Sequence, residues 1–419
     1  MSTSLPWRPR HLLLAPHRLS FFVALVLMWC ASVWWASVQW DRLSGALNWG
    51  YVLSPSLMHG AVMTFGFIPM LFSGFLFTAG PKWLGVAPPN AAQLLAPLLL
   101  QALGWLLWLL GGHLALSVAL SGLALSLVGL LWMSAMFWQL LARSSAADAM
   151  HARMIALACA VGCASLAGLT ACIGSGADDV ALAFLLTGLW GFVVAVFVVV
   201  AHRMIPFFTS SAMPQVVAKR PIWALWFMLS VVVVEVLSAW LDLLQPQGTA
   251  WGAAWLVLRG ALELGAGACL LWLAGVWGFT QSLKNRLLAM LHIGFVWLGL
   301  AMLLGGINHW GSWAIGKVML PLGALHAVTM GCLASLILAM VTRVSAGHSG
   351  RPLVAERWVW VLFIALQLVT VMRLLASWSG VHTSWLLVLA ASGWGILMIG
   401  WGWPLVNWYG MIRPDGRNG

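Results

Sequence analysis

The sequence predicts an all-α membrane protein, a bundle of about twelve transmembrane helices. Three observations predict it. Of 419 residues, 63% are hydrophobic and 7% charged, where soluble domains carry roughly 25% charged residues. The apolar residues gather into twelve runs, each near the ~20 residues that cross a hydrocarbon core as a helix. Positive charge then alternates from one connection to the next. Mean hydropathy is +0.98, and so few charges cannot cover a water-facing surface. Runs of this length also exclude the alternating strands of ~10 residues that build a transmembrane barrel, which leaves the helix as the way to satisfy the backbone in lipid.

In order, the runs lie near 19–40, 56–79, 92–112, 114–141, 151–174, 180–202, 220–244, 251–277, 286–304, 316–341, 357–376 and 383–408. The first follows a basic leader, 1–18, but is over twenty residues long and has no clear small-residue cleavage site, so it is expected to stay as the first helix rather than leave as a signal peptide. Turn chemistry separates the rest: Gly80-Pro81, Pro88-Pro89-Asn90, Gly174 to Asp179, and Gln245 to Gly248. The longest connections are Arg203 to Arg220 and Thr342 to Arg357. With no linker and no internal repeat, 1–419 reads as a single integral membrane domain ending in a short tail, 409–419.

The formal charge of +11 reads as topology, not as a nucleic-acid partner. If the amino terminus is inside, Arg8, Arg10, Arg18, Lys82, Arg143, Arg153, Arg203, Lys219, Arg220, Lys284, Arg286, Arg343, Arg351, Arg357, Arg413 and Arg417 share one side, and the opposite connections keep Arg42 and Lys317. This is the positive-inside pattern, with both termini cytoplasmic. Thirty Trp against two Tyr, among them Trp29, Trp34, Trp35, Trp40, Trp49, Trp401, Trp403 and Trp408, are expected to anchor span ends at the headgroups. The six cysteines, Cys30, Cys159, Cys163, Cys172, Cys269 and Cys332, fall in or at the ends of spans and read as small buried apolar side chains without disulfides.

Ionisable groups inside a span are costly and point to function. With the amino terminus inside, His59 sits at the outer end of helix two and His326 in the outer part of helix ten. His202 at the end of helix six and His292 early in helix nine lie towards the cytoplasm, near loop residues His151 and His348. Neutral imidazole ligates haem iron and copper, so His59 and His326 are candidate haem ligands, and His202, His292 and His348 a candidate metal cluster. The alternative for each is a histidine hydrogen-bonded between helices. Arg373 and Arg259 fall on the outer side, where a guanidinium would pair with haem propionates in a bidentate fork. For Arg259 an ion pair with Glu263, one turn on, is the competing expectation. Glu235 and Glu263, near mid-membrane, and Asp242 are candidate proton carriers or helix glue. Gly260, Gly265, Gly267, Gly299, Gly305 and Gly306 permit close helix approach. His11 and His17 in the leader, and His113, His309 and His382 in or near outer loops, are expected to face water and to carry no role.

Four segments carry a family resemblance: MHGAVMTFGFIPMLFSGFLFTAGPKWLG from Met58, LHAVTMGCLASLILAMVTRVSAGHSGRPL from Leu325, HRMIPFFT from His202 and LHIGFVWLGL from Leu291. Together they resemble the NnrS family of bacterial membrane proteins, the polar RVSAGHSGRPL connection being the most diagnostic part. The resemblance implies a twelve-helix haem- and copper-containing protein of the cytoplasmic (inner) membrane, associated with the nitric oxide response, nitrosative stress resistance and denitrification. His59, His202, His292, His326 and His348 fall in its matching motifs. Where many members look like HAHEM at the start of helix two, this chain has HGAVM, so Ala61 and Val62 replace a His and a Glu. A fainter resemblance runs to the catalytic subunit of haem-copper oxidases and nitric oxide reductases, which also places haem-ligating histidines on helices two and ten. This chain lacks that family's histidine pair in helix seven and paired histidines in helix ten.

Three functions follow as expectations: a haem- and copper-binding protein of nitric oxide metabolism; a proton-coupled transporter using Glu235, Arg259 and Glu263; or a quinol-linked enzyme that reduces nitric oxide. The expected partners are the lipid bilayer, nitric oxide or a related small molecule, and quinol or another electron donor.

Overall fold

Twelve helices in the computed structural model are long and apolar enough to cross a membrane. They are α1 (Pro16–Ser44), α2 (Pro55–Leu76), α3 (Ala91–Leu114), α4 (Leu116–Ala142), α5 (Met150–Ser175), α6 (Asp178–Ala212), α7 (Ile222–Leu244), α8 (Ala250–Val276), α9 (Arg286–Ile315), α10 (Gly323–His348), α11 (Arg357–Leu375) and α12 (Thr383–Tyr409). The structure describes residues 7–244, 249–378 and 383–413, and among them there is no strand. Local chemistry marks the ends. Proline opens α1 and α2, where its missing N–H is not needed. The Asn285 side chain caps α9 by accepting from the amides of Leu287 and Leu288. Gly176 closes α5 in the left-handed conformation, φ +71°.

The expected spans are all present, but several helices run further than their apolar cores. α6 continues to Ala212 through Pro206, over residues expected to form a connection. α9 continues to Ile315, past the Gly305-Gly306 pair where its end was expected, and α10 runs from Gly323 to His348, so the expected connection after Thr342 is helical as far as His348. A helix ends where its backbone groups find other partners, which need not coincide with the end of its apolar run. α6 and α10 also each contain a π-helical stretch, Leu189–Val194 and Ala327–Ala334. Such stretches are frequent at functional sites.

The helices form two compact units: residues 1–199, 345–352 and 398–419, and residues 200–344 and 353–397. In the first, α3 and α4 meet along Gly104, Gly111, Gly122 and Gly129. A Cβ on Gly104 would lie 2.5 Å from the Gly122 carbonyl oxygen, and one on Gly122 2.5 Å from that of Gly104, so the seam has room for glycine alone. In the second, α8 and α9 make the same kind of seam. A Cβ on Gly267 would meet the Gly299 oxygen at 2.8 Å, and one on Gly306 the Gly260 oxygen at 2.7 Å. These faces serve helix packing, and Gly265 faces open space.

The leader is a packed part of the first unit. Residues Pro9–Leu14 form a 3₁₀ turn, the Arg8 amide donates to the Gly410 oxygen at 3.0 Å, and His11 Nδ1 donates to the same oxygen at 2.7 Å. Arg18 Nη1 donates to the oxygens of Tyr409 at 3.2 Å and Met411 at 2.7 Å, which gives the free carbonyls at the end of α12 a cationic cap. His11 and His17 are therefore buried, not water-facing as their place in a basic leader suggests. Two further expectations change. Trp401 is fully buried, as are Trp105, Trp108 and Trp277, while Trp40 and Trp403 are exposed. Cys30 is exposed on the surface of α1, whereas Cys159, Cys163, Cys172 and Cys332 are buried, and all six cysteines are free.

Candidate functional site

The second unit holds several polar groups that lipid should reject. His326 lies in the first turn of α10, directly before the π-helical stretch. Its Nδ1 donates to the Leu322 carbonyl oxygen at 2.9 Å. A carbonyl can only accept, so the ring is held as the Nδ1–H tautomer and Nε2 keeps its lone pair, the arrangement in which a protein presents histidine to a metal. Leu322 supplies that carbonyl from a left-handed backbone, φ +62°, a conformation that costs a non-glycine residue roughly 1–2 kcal/mol. α11 packs against the start of α10. Its Arg373 donates to Ser377 Oγ at 3.0 Å, and Ser377 lies against Gly323, in the same turn of α10 as His326. Among the described residues Arg373 has no carboxylate partner. The residues thus fit the group the family resemblance implies: an imidazole lone pair for iron beside a guanidinium free for a propionate.

Arg259 behaves differently. Its Nε donates to Glu263 Oε1 at 2.9 Å, its Nη2 to Glu235 Oε2 at 3.1 Å, and its Nη1 to Asp242 Oδ2. Of its two expected roles the structure realises the ion pair, extended to three carboxylates from α7 and α8. Glu235 and Glu263 are 4% and 3% exposed, and Asp242, which also accepts from Trp255 Nε1 at 2.9 Å, is 46% exposed. His309 joins the group by donating from Nδ1 to Glu263 Oε2 at 2.7 Å. This corrects the expectation of a water-facing loop residue: α9 carries His309 inside the unit, 16% exposed. The missed signal was charge, since no Asp, Glu, Lys or Arg occurs between Arg286 and Lys317, so the helix had no reason to end at its paired glycines.

Of the proposed inner cluster, His202 and His292 belong to the second unit and His348 to the first. His202 Nε2 donates to the Pro221 oxygen at 3.0 Å and the ring edges onto Trp277. The Thr209 hydroxyl donates to the Ile205 oxygen at 2.8 Å and accepts from His292 Nε2 at 2.9 Å. His292 is fully buried and its Nδ1 has no hydrogen-bond partner, so a lone pair is left facing the interior. Among the described residues no group of three or more His, Cys, Asp or Glu is arranged to hold a metal ion.

In the first unit, His59 lies flat on Trp35, ring centroids 4.0 Å apart and 13° from parallel, and Arg42 covers Trp35 at 5.4 Å. His348 packs against His17 with centroids 4.4 Å apart, a neighbour the sequence did not suggest because 331 positions separate them. His113, expected to face water, is bonded within the protein instead: Nε2 accepts from Trp34 Nε1 at 2.8 Å and Nδ1 donates to the Gly50 oxygen at 3.0 Å. His151 is buried in the first turn of α5. His59 and His326, the expected haem pair, fall one in each unit, and His382 lies outside the described residues.

Twelve apolar helices with imidazole, guanidinium and carboxylate groups in their interior define a multi-pass helical membrane protein with a polar core. The family model described as "NnrS protein" matches residues 11–413, nearly the whole chain. The chain belongs to the NnrS family, and membership suggests a membrane protein of the nitric oxide response. No curated protein matches it.

Proposed function

We propose that this protein binds haem in the membrane as part of nitric oxide metabolism and nitrosative stress resistance, and that His326 would hold the iron and Arg373 a propionate. One observation carries the reading: His326 spends Nδ1 on the Leu322 carbonyl and so offers Nε2 near Arg373, which has no carboxylate partner among the described residues. Bound haem supplies an iron that takes nitric oxide at an open position or, with two imidazoles, passes electrons. The chain's own contribution is to fix the tautomer and direction of the ligand, and to hold a cation where an acidic substituent would enter. His59, stacked on Trp35, is the second haem candidate within its own unit. For copper we propose His292 of the second unit first, because its Nδ1 is buried with its lone pair unspent, with His202 as a further candidate in that unit and His348 as a separate candidate within the first.

The test is the absorption spectrum and pyridine haemochrome of the purified protein. The wild type is expected to show a Soret band that His326→Ala loses and His113→Ala keeps. A colourless wild type, or an unchanged band in His326→Ala, overturns the assignment. The orientation we infer, both ends cytoplasmic in the inner membrane, is tested by reporter fusions at the loops after α1 and α2. The grouping of Glu235, Arg259 and Glu263 favours a second reading, proton-coupled transport, which requires acid-dependent solute flux in proteoliposomes without any chromophore. Turnover with quinol and nitric oxide would mark the protein as a reductase.

A further inference from the structure

The charges around Arg259 do not balance. Among the described residues the ionisable groups that face it are Glu235 and Asp242 on α7, Glu263 on α8 and His309 on α9. With all three carboxyls ionised and the imidazole neutral, the group carries two negative charges in excess. Asp242 is 46% exposed, so water can support it as the partner of Arg259. Glu235, Glu263 and His309 then have to reach neutrality by themselves, because an unpaired buried charge is expensive. Two protons shared among the three groups close that balance. One proton fewer leaves a single negative charge.

A metal ion is not the species that closes this balance. The three nitrogens of Arg259 already occupy one oxygen of each carboxylate, and among the described residues no group of His, Cys, Asp and Glu is arranged to hold a metal. The packing is also too close for one. A Cβ on Gly305 would lie 2.7 Å from Glu263 Oε2, so the carboxylate rests on the backbone of α9, one turn before His309. The 2.7 Å bond from His309 Nδ1 to Glu263 Oε2 is a direct route for a proton between the two, and Arg259 bridges Glu263 to Glu235 and to the exposed Asp242.

We propose that Glu235, Glu263 and His309 form a proton-binding site that gains and releases one proton, exchanging with water at the Asp242 end. The ligand is the proton itself, and nothing in the assignment depends on haem. Gain of the proton converts one carboxylate to a carboxylic acid, and release returns it; no bond between heavy atoms forms or breaks.

Infrared difference spectroscopy of the full-length protein in lipid nanodiscs tests this. The wild type is titrated between pH ~5 and ~8, the range over which a histidine changes charge, with H–D exchange to mark carboxylic C=O stretches. A protonated-carboxyl band that changes by one group's intensity is expected. Glu235→Gln or Glu263→Gln should remove or displace the band, His309→Gln should move its midpoint by about one pH unit or more, and Glu263→Asp should retain a titrating band. A purely structural ion-pair network gives no titrating band. A wild-type spectrum without one, or one that all three glutamine variants leave unaltered, overturns the proposal. The wild-type measurement decides even where a variant does not fold. A missing Soret band would sink the haem reading and leave this result untouched.

Discussion

Replacing Arg259 by methionine removes the one side chain that three carboxylates share. Methionine fills a similar volume, so the perturbation is chiefly electrostatic. Breaking a buried ion pair by deleting one partner costs about 3–5 kcal/mol, because the other charge stays behind in low dielectric. Here the deletion leaves behind the one negative charge that Glu235, at 4% exposure, Glu263, at 3%, and His309 share once the proton has been released. Asp242 at 46% adds little, since exposed pairs are worth about 0–1 kcal/mol. The expected loss therefore stays within the single-pair range. At about 2–4 °C per kcal/mol for a unit of this size, the thermal midpoint should fall on the order of 10 °C. The assay is thermal unfolding in detergent, followed by tryptophan emission, for Arg259→Met and for the triple variant that adds Glu235→Gln and Glu263→Gln. The triple variant should recover most of the deficit. Protonation discharges the stranded carboxyls, so the loss in the single variant should be largest at high pH and shrink as pH falls. A midpoint within about a degree of wild type across that range would refute the reasoning.

Other substitutions separate packing from ligation. Gly104→Val should disrupt the α3–α4 seam, since even its first carbon would lie 2.5 Å from the Gly122 oxygen, and a large loss of folded yield in size-exclusion chromatography is expected. Gly265→Ala, which faces open space in mid-helix, should raise thermal stability by up to about 1 kcal/mol, the helix preference of alanine over glycine. His113→Ala should lower stability by about 1–3 kcal/mol, through the stranded Trp34 donor and Gly50 acceptor, while leaving any Soret band in place. Arg373→Gln should keep the shape of the haem band but weaken haem retention on the order of 10-fold, as expected for loss of a charge-assisted pair; equal retention in both proteins removes Arg373 as a propionate partner.

The helices were legible because lipid reduces folding to one local question: whether a stretch of chain can bury its own hydrogen bonds and present apolar side chains outward. That question has a one-dimensional answer, and all twelve runs gave it correctly. Their ends did not, since α6 continues through Pro206 and α9 through Gly305-Gly306, beyond the ends of their apolar runs. Depth along a helix was legible too, and it brought Glu235 and Glu263 to one level, near mid-membrane, with Arg259 one turn further out. Rotation about the helix was not. Whether Arg259 faced a cofactor or a carboxylate, and whether His309 faced water or Glu263, depends on which flank of α8 meets α9, and the Gly260–Gly306 and Gly267–Gly299 contacts set that. The pairing of His17 with His348 joins opposite ends of the chain, beyond any periodicity.

The bonds that tie Arg8, His11 and Arg18 to Tyr409, Gly410 and Met411 impose an order on biosynthesis. Arg8, His11 and Arg18 leave the ribosome long before Tyr409, Gly410 and Met411 do, so the first helix must wait in the bilayer, its arginine held by water or lipid phosphate, until those residues have been made. A chain that stops short of residue 409 would insert most of its helices and still leave the first of them without its closing clasp, a defect for membrane quality control to recognise.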